Sequence, residues 1–327
     1  MTTSDAIPEV AKSARVTLPA PELSSDEEED KEEDYEAVEG NYLQDWPDDT
    51  EDLDLVHSRI GSLDELRLSR FANHLKRLCL RQNHISILDP DVFRLLTKLE
   101  ELDLYDNKIK DPGHALDHLS SLSILDLSFN LIRTIPESLS GLISLKTIYF
   151  VQNRISKITG LNDLTSLRSL ELGGNRIRKI ENLDALNKIT KLENLSKLQK
   201  LEILSIQSNR ITVIEGLDKL TNLKELYLSH NGVKRLEGLE NNIHLRTLDV
   251  GNNFIPAIEN VSHLTHLEEL WMNGNQIPNL HALDSQLARI STLETLYLEG
   301  NPKIMLALKQ LKQIDATSVL LSCASIY

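Results

Sequence analysis

The chain has 327 residues, a hydrophobic fraction of 40% and a formal net charge of -15 at pH 7. Two cysteines are too few for a disulfide framework, and no apolar stretch suits a signal peptide or a membrane span. We therefore expect an intracellular, reduced protein. Its negative charge argues against non-specific binding to nucleic acid or to an anionic membrane.

Residues 1–52 are predicted to form a disordered acidic tail. Residues 1–55 carry nineteen acidic and three basic side chains, whereas the rest of the chain is nearly neutral. The run from Asp26 to Glu39 has few apolar side chains to bury, which favours disorder. Two interpretations stay open. The tail either serves solubility or has a function. That function is contact with a basic partner, or phosphorylation at Ser24 and Ser25, which acidic residues follow.

From residue 53 to residue 300 the chain repeats a single motif. Ten asparagines each follow the pattern L-x-x-L-x-L-x-x, with only Ile, Val, Met or Phe replacing a Leu. They are spaced by 24, 23, 23, 22, 34, 22, 22, 22 and 26 residues. They are Asn83, Asn107, Asn130, Asn153, Asn175, Asn209, Asn231, Asn253, Asn275 and Asn301. This period and signature are those of the leucine-rich repeat. Leu53, Leu55 and Ile60, with Ser58 in the asparagine position, predict a degenerate first repeat.

The pattern predicts an α/β solenoid, a right-handed superhelix with a concave parallel sheet. The alternating leucines indicate a short strand with one inward face, and the asparagine amide can bond the backbone of the turn. The spacing that follows, as in Ile211, Ile214 and Leu217, predicts short returns on the convex side, mostly 3₁₀ with some helix. After Asn301, the apolar spacing from Ile304 to Ile314 predicts a helical cap within residues 301–327.

One repeat is truncated near residues 183–187. The step from Asn175 to Asn209 is 34 residues, whereas Asn187 to Asn209 is a regular 22. About ten residues that would form a strand are therefore absent. Two explanations stay open: a long convex loop, or a spliced or mispredicted exon junction. Either predicts one strand fewer than the pattern implies.

Two rows of strand residues are predicted to point away from the core, and together we call them the concave face. The central row is Cys79, Asp103, Asp126, Tyr149, Glu171, Ser205, Tyr227, Asp249, Trp271 and Tyr297. The leading row, two residues earlier, is Arg77, Glu101, Ile124, Thr147, Ser169, Ile203, Glu225, Thr247, Glu269 and Thr295. Aromatic anchors among carboxylates are typical of a protein-binding hot spot and predict a partner rich in Lys and Arg. Cys79 is predicted to have an exposed thiol.

No catalytic or metal-binding pattern is present in the sequence. It has no nucleotide-binding loop, no Cys/His cluster at metal spacing and no nucleophile with a base. His263 and His266 fall on a return segment, where isolated polar residues are expected. We predict a non-catalytic binding scaffold without cofactor or metal.

Six segments carry a more specific resemblance. They are Leu78 to Asn83, Glu101 to Asn107, Leu226 to Gly232, Gly238 to Asn242, Trp271 to Asn273 and Gln313 to Thr317. Together they closely resemble the SDS-twenty-two-like family of protein phosphatase 1 regulatory subunits. The resemblance implies a subunit that binds the phosphatase catalytic subunit and controls its maturation, activity or localisation, with a mitotic role. It also implies phosphatase inhibitor 3 as a further partner, and location in nucleus and cytoplasm. We expect a monomer that binds neither nucleic acid nor membrane.

The resemblance also implies which residues contact the partner. It places contacts at Asp126, Tyr149, Glu171, Asp249, Glu269, Trp271 and Tyr297, and the acidic and aromatic pattern adds Glu225 and Tyr227. The truncation removes a strand that carries a family contact and would shift the two halves of the face by ~4.8 Å. Residues 146–150 superficially match the short motif that docks to this phosphatase. Because Ile148 and Phe150 occupy inward positions, we reject that motif.

Two other hypotheses stay open. One is a leucine-rich-repeat adaptor for another assembly, such as a spliceosomal or ciliary scaffold, which would lack the surroundings of Trp271 and Tyr297. The other is a misassembled chain in which the missing strand uncouples the two halves of the solenoid.

Overall fold

The computed structural model describes residues 43–161, 163–178, 195, 197–302, 313–314 and 317–318. These residues belong to one compact unit that begins at residue 37. The candidate phosphorylation sites Ser24 and Ser25 and the truncated segment 183–187 lie outside the described residues. Within the described part, no helix is long and apolar enough to cross a membrane.

Among the described residues, thirteen short strands form one sheet, and neighbours in the sheet are neighbours in the chain. The strands are β1 (Asp52–Asp54), β2 (Arg77–Cys79), β3 (Glu101–Asp103), β4 (Ile124–Asp126), β5 (Thr147–Tyr149), β6 (Ser169–Glu171), β7 (Ile203–Ser205), β8 (Glu225–Tyr227), β9 (Thr247–Asp249), β10 (Glu269–Trp271), β11 (Thr295–Tyr297), β12 (Gln313–Ile314) and β13 (Thr317–Ser318). β1 to β12 pair in parallel, and β13 is antiparallel to β12. The predicted solenoid with a parallel sheet is confirmed.

The returns between strands contain little helix. The described returns include α1 (Pro90–Phe93), α2 (Leu283–Gln286) and three 3₁₀ helices, Asp64–Leu66, Leu68–Phe71 and Glu137–Gly141. Most others are single turns. Leu220 N, for example, donates to Leu217 O at 3.0 Å, and Leu223 N donates to Leu220 O at 3.1 Å. These bonds have the 3₁₀ spacing that the sequence predicts, but most turns are too short to continue as helices.

The repeat leucines form one continuous core, and the repeat asparagines form a ladder beside it. One repeat, made of a strand and its return, forms one coil of the solenoid. Asn231 Nδ2 donates to Leu228 O and, in the preceding coil, to Ile206 O, each at 3.0 Å. Asn231 Oδ1 accepts from Ile211 N at 3.0 Å. The asparagine therefore binds its own turn to the preceding coil and satisfies backbone groups that would otherwise be buried without partners.

The first coil has the geometry of a repeat. The residue before each repeat asparagine has a left-handed backbone, as at Phe129, where φ is 54°. His57, which precedes Ser58, has the same conformation with a φ of 55°. β1 pairs in parallel with β2, and Leu53 and Leu55 are buried. A serine in the asparagine position is therefore compatible with the turn.

Residues 43–50 cover the N-terminal end of the core. Leu43 is 1% exposed, and Trp46 packs against the buried leucines. Arg70 donates to Leu43 O at 3.0 Å, to Trp46 O at 2.8 Å and to Asp48 Oδ1 at 2.7 Å. These residues lie in the stretch that the sequence assigns to the acidic tail. They pack on the solenoid because their apolar side chains shield the end of the leucine stack from water.

β6 pairs directly with β7 across the truncated repeat. The register places Glu171 beside Ser205. The asparagine ladder also continues, because Asn209 Nδ2 donates to Leu172 O and Asn209 Oδ1 accepts from Ile177 N, each at 2.9 Å. The described residues between β6 and β7 contain no further strand, as expected from the missing half-repeat. Residues 179–194 lie outside the described part.

The C-terminal cap differs from the prediction. Ile314, which the sequence places in a helix, lies in β12 beside Leu296 of β11. The helix is therefore wrong at Gln313 and Ile314, while residues 303–312 lie outside the described part. The reason is that the edge of β11 offers unpaired backbone groups, which an added strand satisfies and a helix cannot.

Candidate functional site

The sheet brings the nine predicted contact residues onto the concave face. Seven follow one another in the central row on β4, β5, β6, β8, β9, β10 and β11, with Ser205 of β7 between Glu171 and Tyr227. Glu225 and Glu269 lie beside them in the leading row on β8 and β10. Because parallel neighbours are ~4.8 Å apart, these side chains form one surface. Their role as partner contacts stays a prediction.

The central row is less exposed than the sequence predicts. Cys79 is 2% exposed, so the prediction of an exposed thiol is wrong. Burial raises the pKa of this thiol. Asp103, Ser205 and Asp249 are also buried. Side chains on adjacent short strands stand close enough to shield one another, and this shielding cannot be seen in a single repeat.

Arginines neutralise carboxylates at the N-terminal end of the face. Arg77 Nε lies 3.2 Å from Glu101 Oε1. Arg81 Nη1 lies 2.9 Å from Asp103 Oδ2 and 4.0 Å from Asp126 Oδ2. Sequence reasoning missed Arg81, because it stands two residues beyond the central row. Extending the alternation by one outward position would have found it.

Beyond Asp126, no described basic side chain pairs with the carboxylates of the face. The carboxylate of Glu171 makes no hydrogen bond or ion pair within the described residues, and burial together with the charges of Asp126 and Glu225 raises its pKa to about 7. Asp249 accepts a hydrogen bond from Gly251 N at 3.0 Å, yet burial still raises its pKa. Negative charge is therefore concentrated on β6 to β10, where cations from a partner would relieve it.

Aromatic side chains on β8, β10 and β11 are held in place by neighbours. The rings of Trp271 and Tyr297 are 4.7 Å apart between centroids and inclined by 52°. Trp271 Nε1 donates to Glu269 Oε2 at 3.2 Å, and Tyr227 Oη donates to Glu225 Oε2 at 2.8 Å. Burial, followed by the bond to Glu225, raises the pKa of Tyr227. We call the following residues the C-terminal cluster: Glu225, Tyr227, Asp249, Glu269, Trp271 and Tyr297.

A second aromatic group lies near the N-terminal end of the face. Tyr105 and Phe129 have ring centroids 4.8 Å apart, and the Arg81 guanidinium lies 4.1 Å from the centre of the Tyr105 ring. Phe129 is 36% exposed. Tyr105 and Phe129 both lie outside the two rows that the sequence predicts. Phe129 stands before a repeat asparagine, a position that is set by turn geometry and carries no pattern of its own.

Motifs that the sequence analysis set aside have structural roles. Ile148 and Phe150 are fully buried, which confirms that residues 146–150 are no exposed docking peptide. The rings of His263 and His266 lie 2.9 and 3.0 Å from backbone carbonyl oxygens of the neighbouring coil. In the described part of the chain, no group of three or more His, Cys, Asp or Glu residues could hold a metal ion.

Comparison of the sequence with known families and proteins gives consistent matches. The profile described as a leucine-rich repeat region matches residues 96–323, and a leucine rich repeat profile matches residues 50–109. The chain is 45% identical over 107 residues to protein phosphatase 1 regulatory subunit SDS22 of Saccharomyces cerevisiae, covering 33% of this chain and 31% of that protein. It is 38% identical over 137 residues to the protein phosphatase 1 regulatory inhibitor subunit PPP1R7 homolog of Arabidopsis thaliana, covering 41% and 40%. The matches thus span less than half of each relative.

Solved structures show the same architecture. A leucine-rich-repeat protein of Leptospira interrogans superposes with a TM-score of 0.66 at 26% identity, over 76% of this chain and 61% of that one. An internalin of Listeria monocytogenes superposes with a TM-score of 0.60 at 25% identity, over 82% and 87%. Both likenesses concern the repeated coil and its parallel sheet.

Proposed function

The chain belongs to the leucine-rich-repeat family, and on this premise we propose that it is a non-catalytic regulatory subunit that binds the catalytic subunit of protein phosphatase 1 through its concave face. Relatives in two yeasts and a plant support the proposal. Each is named a regulatory subunit or regulatory inhibitor subunit of protein phosphatase 1, at 38 to 48% identity.

The C-terminal cluster is the observation that carries the proposal. Trp271 and Tyr297 supply a large aromatic contact, and Glu269 holds the indole of Trp271 in place before any partner arrives. Ordering side chains in advance lowers the entropy lost on binding, which favours a tight contact. Half-buried aromatic residues surrounded by polar groups are the usual centres of binding energy in interfaces.

The charges of the face specify the partner's chemistry. Glu171 and Asp249 have raised pKa values because their charge is poorly solvated, and no described basic side chain pairs with them. Lys and Arg side chains of a partner would take that place and would also speed association. We propose that binding itself regulates the phosphatase. A rigid scaffold that covers a basic surface of the phosphatase can control its maturation, activity or localisation.

Replacement of two residues of the cluster tests the proposal. Trp271→Ala combined with Glu269→Ala should abolish capture of the purified catalytic subunit in a pulldown, since truncation of one hot-spot residue typically costs about 2 kcal/mol or more. Phe254→Ala combined with Glu240→Ala is the matched control. It removes one aromatic and one carboxylate that lie outside the concave face, and it should leave capture unchanged.

Thermal melting of both variants checks that the fold is intact. Unchanged capture by the Trp271 and Glu269 variant would refute binding through this face. Failure of the parent chain itself to capture the catalytic subunit would refute the proposed function.

The resemblance stated in the sequence analysis supports further proposals. We propose that the chain is a monomer in the nucleus and cytoplasm, that phosphatase inhibitor 3 joins the complex, and that the complex acts in mitosis. Size-exclusion chromatography with light scattering, three-component reconstitution and imaging of a tagged chain test these proposals. A stable dimer, mutually exclusive binding or absence from the nucleus would contradict them.

A further inference from the structure

One flank of the solenoid, outside the concave face, is strongly basic. We consider the residues one and three positions after the repeat asparagine in the nine coils from Asn83 to Asn275, which makes eighteen residues. Eight of them are Lys or Arg, and none is Asp or Glu. The whole chain has 35 basic and 50 acidic residues, so composition does not explain the excess. We call six of the eight the basic flank: Lys108, Lys110, Arg133, Arg154, Arg210 and Lys234.

Backbone hydrogen bonds align this flank from coil to coil. Arg154 N donates to Ile132 O at 2.8 Å, and Arg210 N donates to Ile177 O at 2.7 Å. The second of these bonds spans the truncated repeat, so the flank continues across it. The residue between the two basic positions, such as Ile155, is fully buried. Alternation around that inward residue directs both basic positions outward, along one line.

The cations of the basic flank are not neutralised within the described residues. No described carboxylate forms an ion pair with any of the six, and all except the half-buried Arg154 are exposed. Other basic side chains on the surface, by contrast, form ion pairs. Arg168 lies 3.0 Å from Glu202, and Arg235 lies 3.1 Å from Glu259. The flank therefore keeps its positive charge available to a ligand.

We propose that the basic flank binds an extended acidic segment of a partner polypeptide. The line of cations crosses six coils, from that of Asn107 to that of Asn231, and five strand spacings give a length of ~24 Å, which about seven extended residues would cover. An extended peptide has a side chain every ~3.4 Å, against ~4.8 Å between coils. Its carboxylates therefore lie within reach of the long, flexible Lys and Arg side chains without a fixed one-to-one register.

The narrow width of the flank favours a single peptide over a nucleic-acid duplex as its ligand. Two alternating positions span only ~7 Å along the chain. Carboxylates stand on both sides of this strip along the chain, with Asp106 directly before Asn107 and with Asp111, Glu215 and Glu237 on the following returns. A duplex, whose major groove alone is ~12 Å wide, would overlie these carboxylates. A single extended acidic peptide fits between them.

This surface is distinct from the one proposed to bind the phosphatase. The concave face is acidic and aromatic, whereas the flank is basic, so the two select partners of opposite charge. The solenoid would then join a basic partner on one surface to an acidic partner on another. Reversing charge on the flank should leave capture of the phosphatase catalytic subunit unchanged.

Binding of a synthetic acidic peptide tests the proposal. A fluorescent peptide of about seven glutamates, the length that the flank accommodates, is titrated with the full chain at two salt concentrations by fluorescence anisotropy. We expect binding that weakens as salt rises. The triple variant Arg133→Glu, Arg154→Glu, Arg210→Glu should weaken it about tenfold or more, because each reversal turns an attraction into a repulsion.

A matched variant tests whether weaker binding comes from the flank itself or only from the change in net charge. Lys98→Glu, Lys146→Glu, Lys200→Glu makes the same change in charge at exposed positions near the opposite ends of the strands, and it should bind the peptide nearly as well as the parent. Equal weakening by both variants would overturn the proposal, as would no binding by the parent. Tighter, equally flank-dependent binding of a single-stranded oligonucleotide of the same charge would overturn the peptide assignment. Loss of phosphatase capture by the flank variant alone would show that the two surfaces are one.

Discussion

At the scale of single residues, Glu171 has an unfavourable electrostatic environment. Its carboxylate is partly buried, forms no hydrogen bond or ion pair with described residues, and faces the charges of Asp126 and Glu225. The truncated repeat contributes to this, because a complete repeat would separate Glu171 from Glu225 by one more strand spacing of ~4.8 Å. The pKa of Glu171 rises to about 7 as a result.

The pH dependence of stability tests this environment. Since the folded-state pKa of Glu171 is above its ordinary value of 4.5, the folded chain binds the proton more tightly than the unfolded chain. The free energy of unfolding should therefore fall as pH rises from 4.5 to about 7, and the loss should be complete above that window. Glu171→Gln lacks the charge and should be more stable above the window by on the order of 1–3 kcal/mol.

Urea unfolding at pH values on either side of the window measures this difference. Glu240→Gln, which removes a carboxylate from an exposed return, is the control and should unfold with the same pH dependence as the parent. If Glu171→Gln also keeps the parent's pH dependence, Glu171 is not the group that titrates.

A second residue, Asn242, occupies a position that other coils give to leucine. It is fully buried between Leu239 and Leu245. Its Nδ2 donates to Leu217 O at 3.0 Å and to Leu220 O at 2.9 Å, while its Oδ1 is buried without a partner among the described residues. Both carbonyls also accept backbone bonds, so they do not depend on Asn242.

Asn242→Leu should therefore stabilise the chain by about 1 kcal/mol, because it removes an unsatisfied buried acceptor and adds apolar contact. Asn231→Leu is the contrasting variant. Asn231 has both its Oδ1 and Nδ2 paired, so its loss should destabilise by about 2 kcal/mol or more. Denaturant unfolding compares the two. Destabilisation of similar size in both variants would contradict the assignment.

At the scale of elements, the junction between β6 and β7 decides whether the solenoid unfolds as one unit. Three kinds of bond cross it: the strand pairing, the asparagine ladder and the backbone ladder of the basic flank. The core leucines Leu170 and Leu204 also meet in register across it. Cooperativity in repeat proteins depends on such nearest-neighbour contacts, and these are present among the described residues on both sides of the junction.

The parent chain should therefore melt in a single transition by calorimetry. Asn209→Ala removes partners from Leu172 O and Ile177 N at the junction and should cost about 2–4 kcal/mol. Because the damage falls where the repeat is truncated, two transitions are expected in this variant. Asn253→Ala removes equivalent bonds within regular coils and should lower the melting temperature of one transition. Two transitions in the parent would instead support the hypothesis of a misassembled chain.

At the scale of the whole molecule, the truncation changes the spacing between the two halves of the concave face. β8 to β11, which carry the C-terminal cluster, follow one another without interruption, so the geometry of the cluster does not depend on the truncation. Tyr149 and Asp126 lie on the other side of the junction, and their distance from the cluster is one strand shorter than in a complete solenoid.

Restoring the missing repeat tests which half dominates binding. A chain with a regular strand segment of about ten residues inserted before Asn187 is compared with the present chain by calorimetry against the catalytic subunit. We expect both to bind within about tenfold of one another, because the hot spot lies in the unaffected cluster. Tyr149→Ala should weaken the restored chain more than the present one. Binding by the restored chain alone would contradict dominance of the cluster.

Much of the architecture could be predicted from the sequence because it is local. Leucine alternation, the asparagine at a fixed position and the period are properties of single repeats, and stacking of identical units leaves one solution. The same reasoning identifies which residues stand on the concave face. It fails at Ile314, because the end of a solenoid has a neighbour on only one side, and the period does not say whether a strand or a helix covers it.

The sequence by itself determined the solenoid, the one-strand deficit and the residues that line the concave face, since each depends on spacing along the chain. Only the tertiary structure decided how those residues behave. It buries Cys79, pairs Arg81 with Asp103, leaves the carboxylate of Glu171 without a described partner and aligns the basic flank across the truncated repeat. Each of these depends on distances between residues more than twenty positions apart in the chain, and such distances exist only once the coils stack.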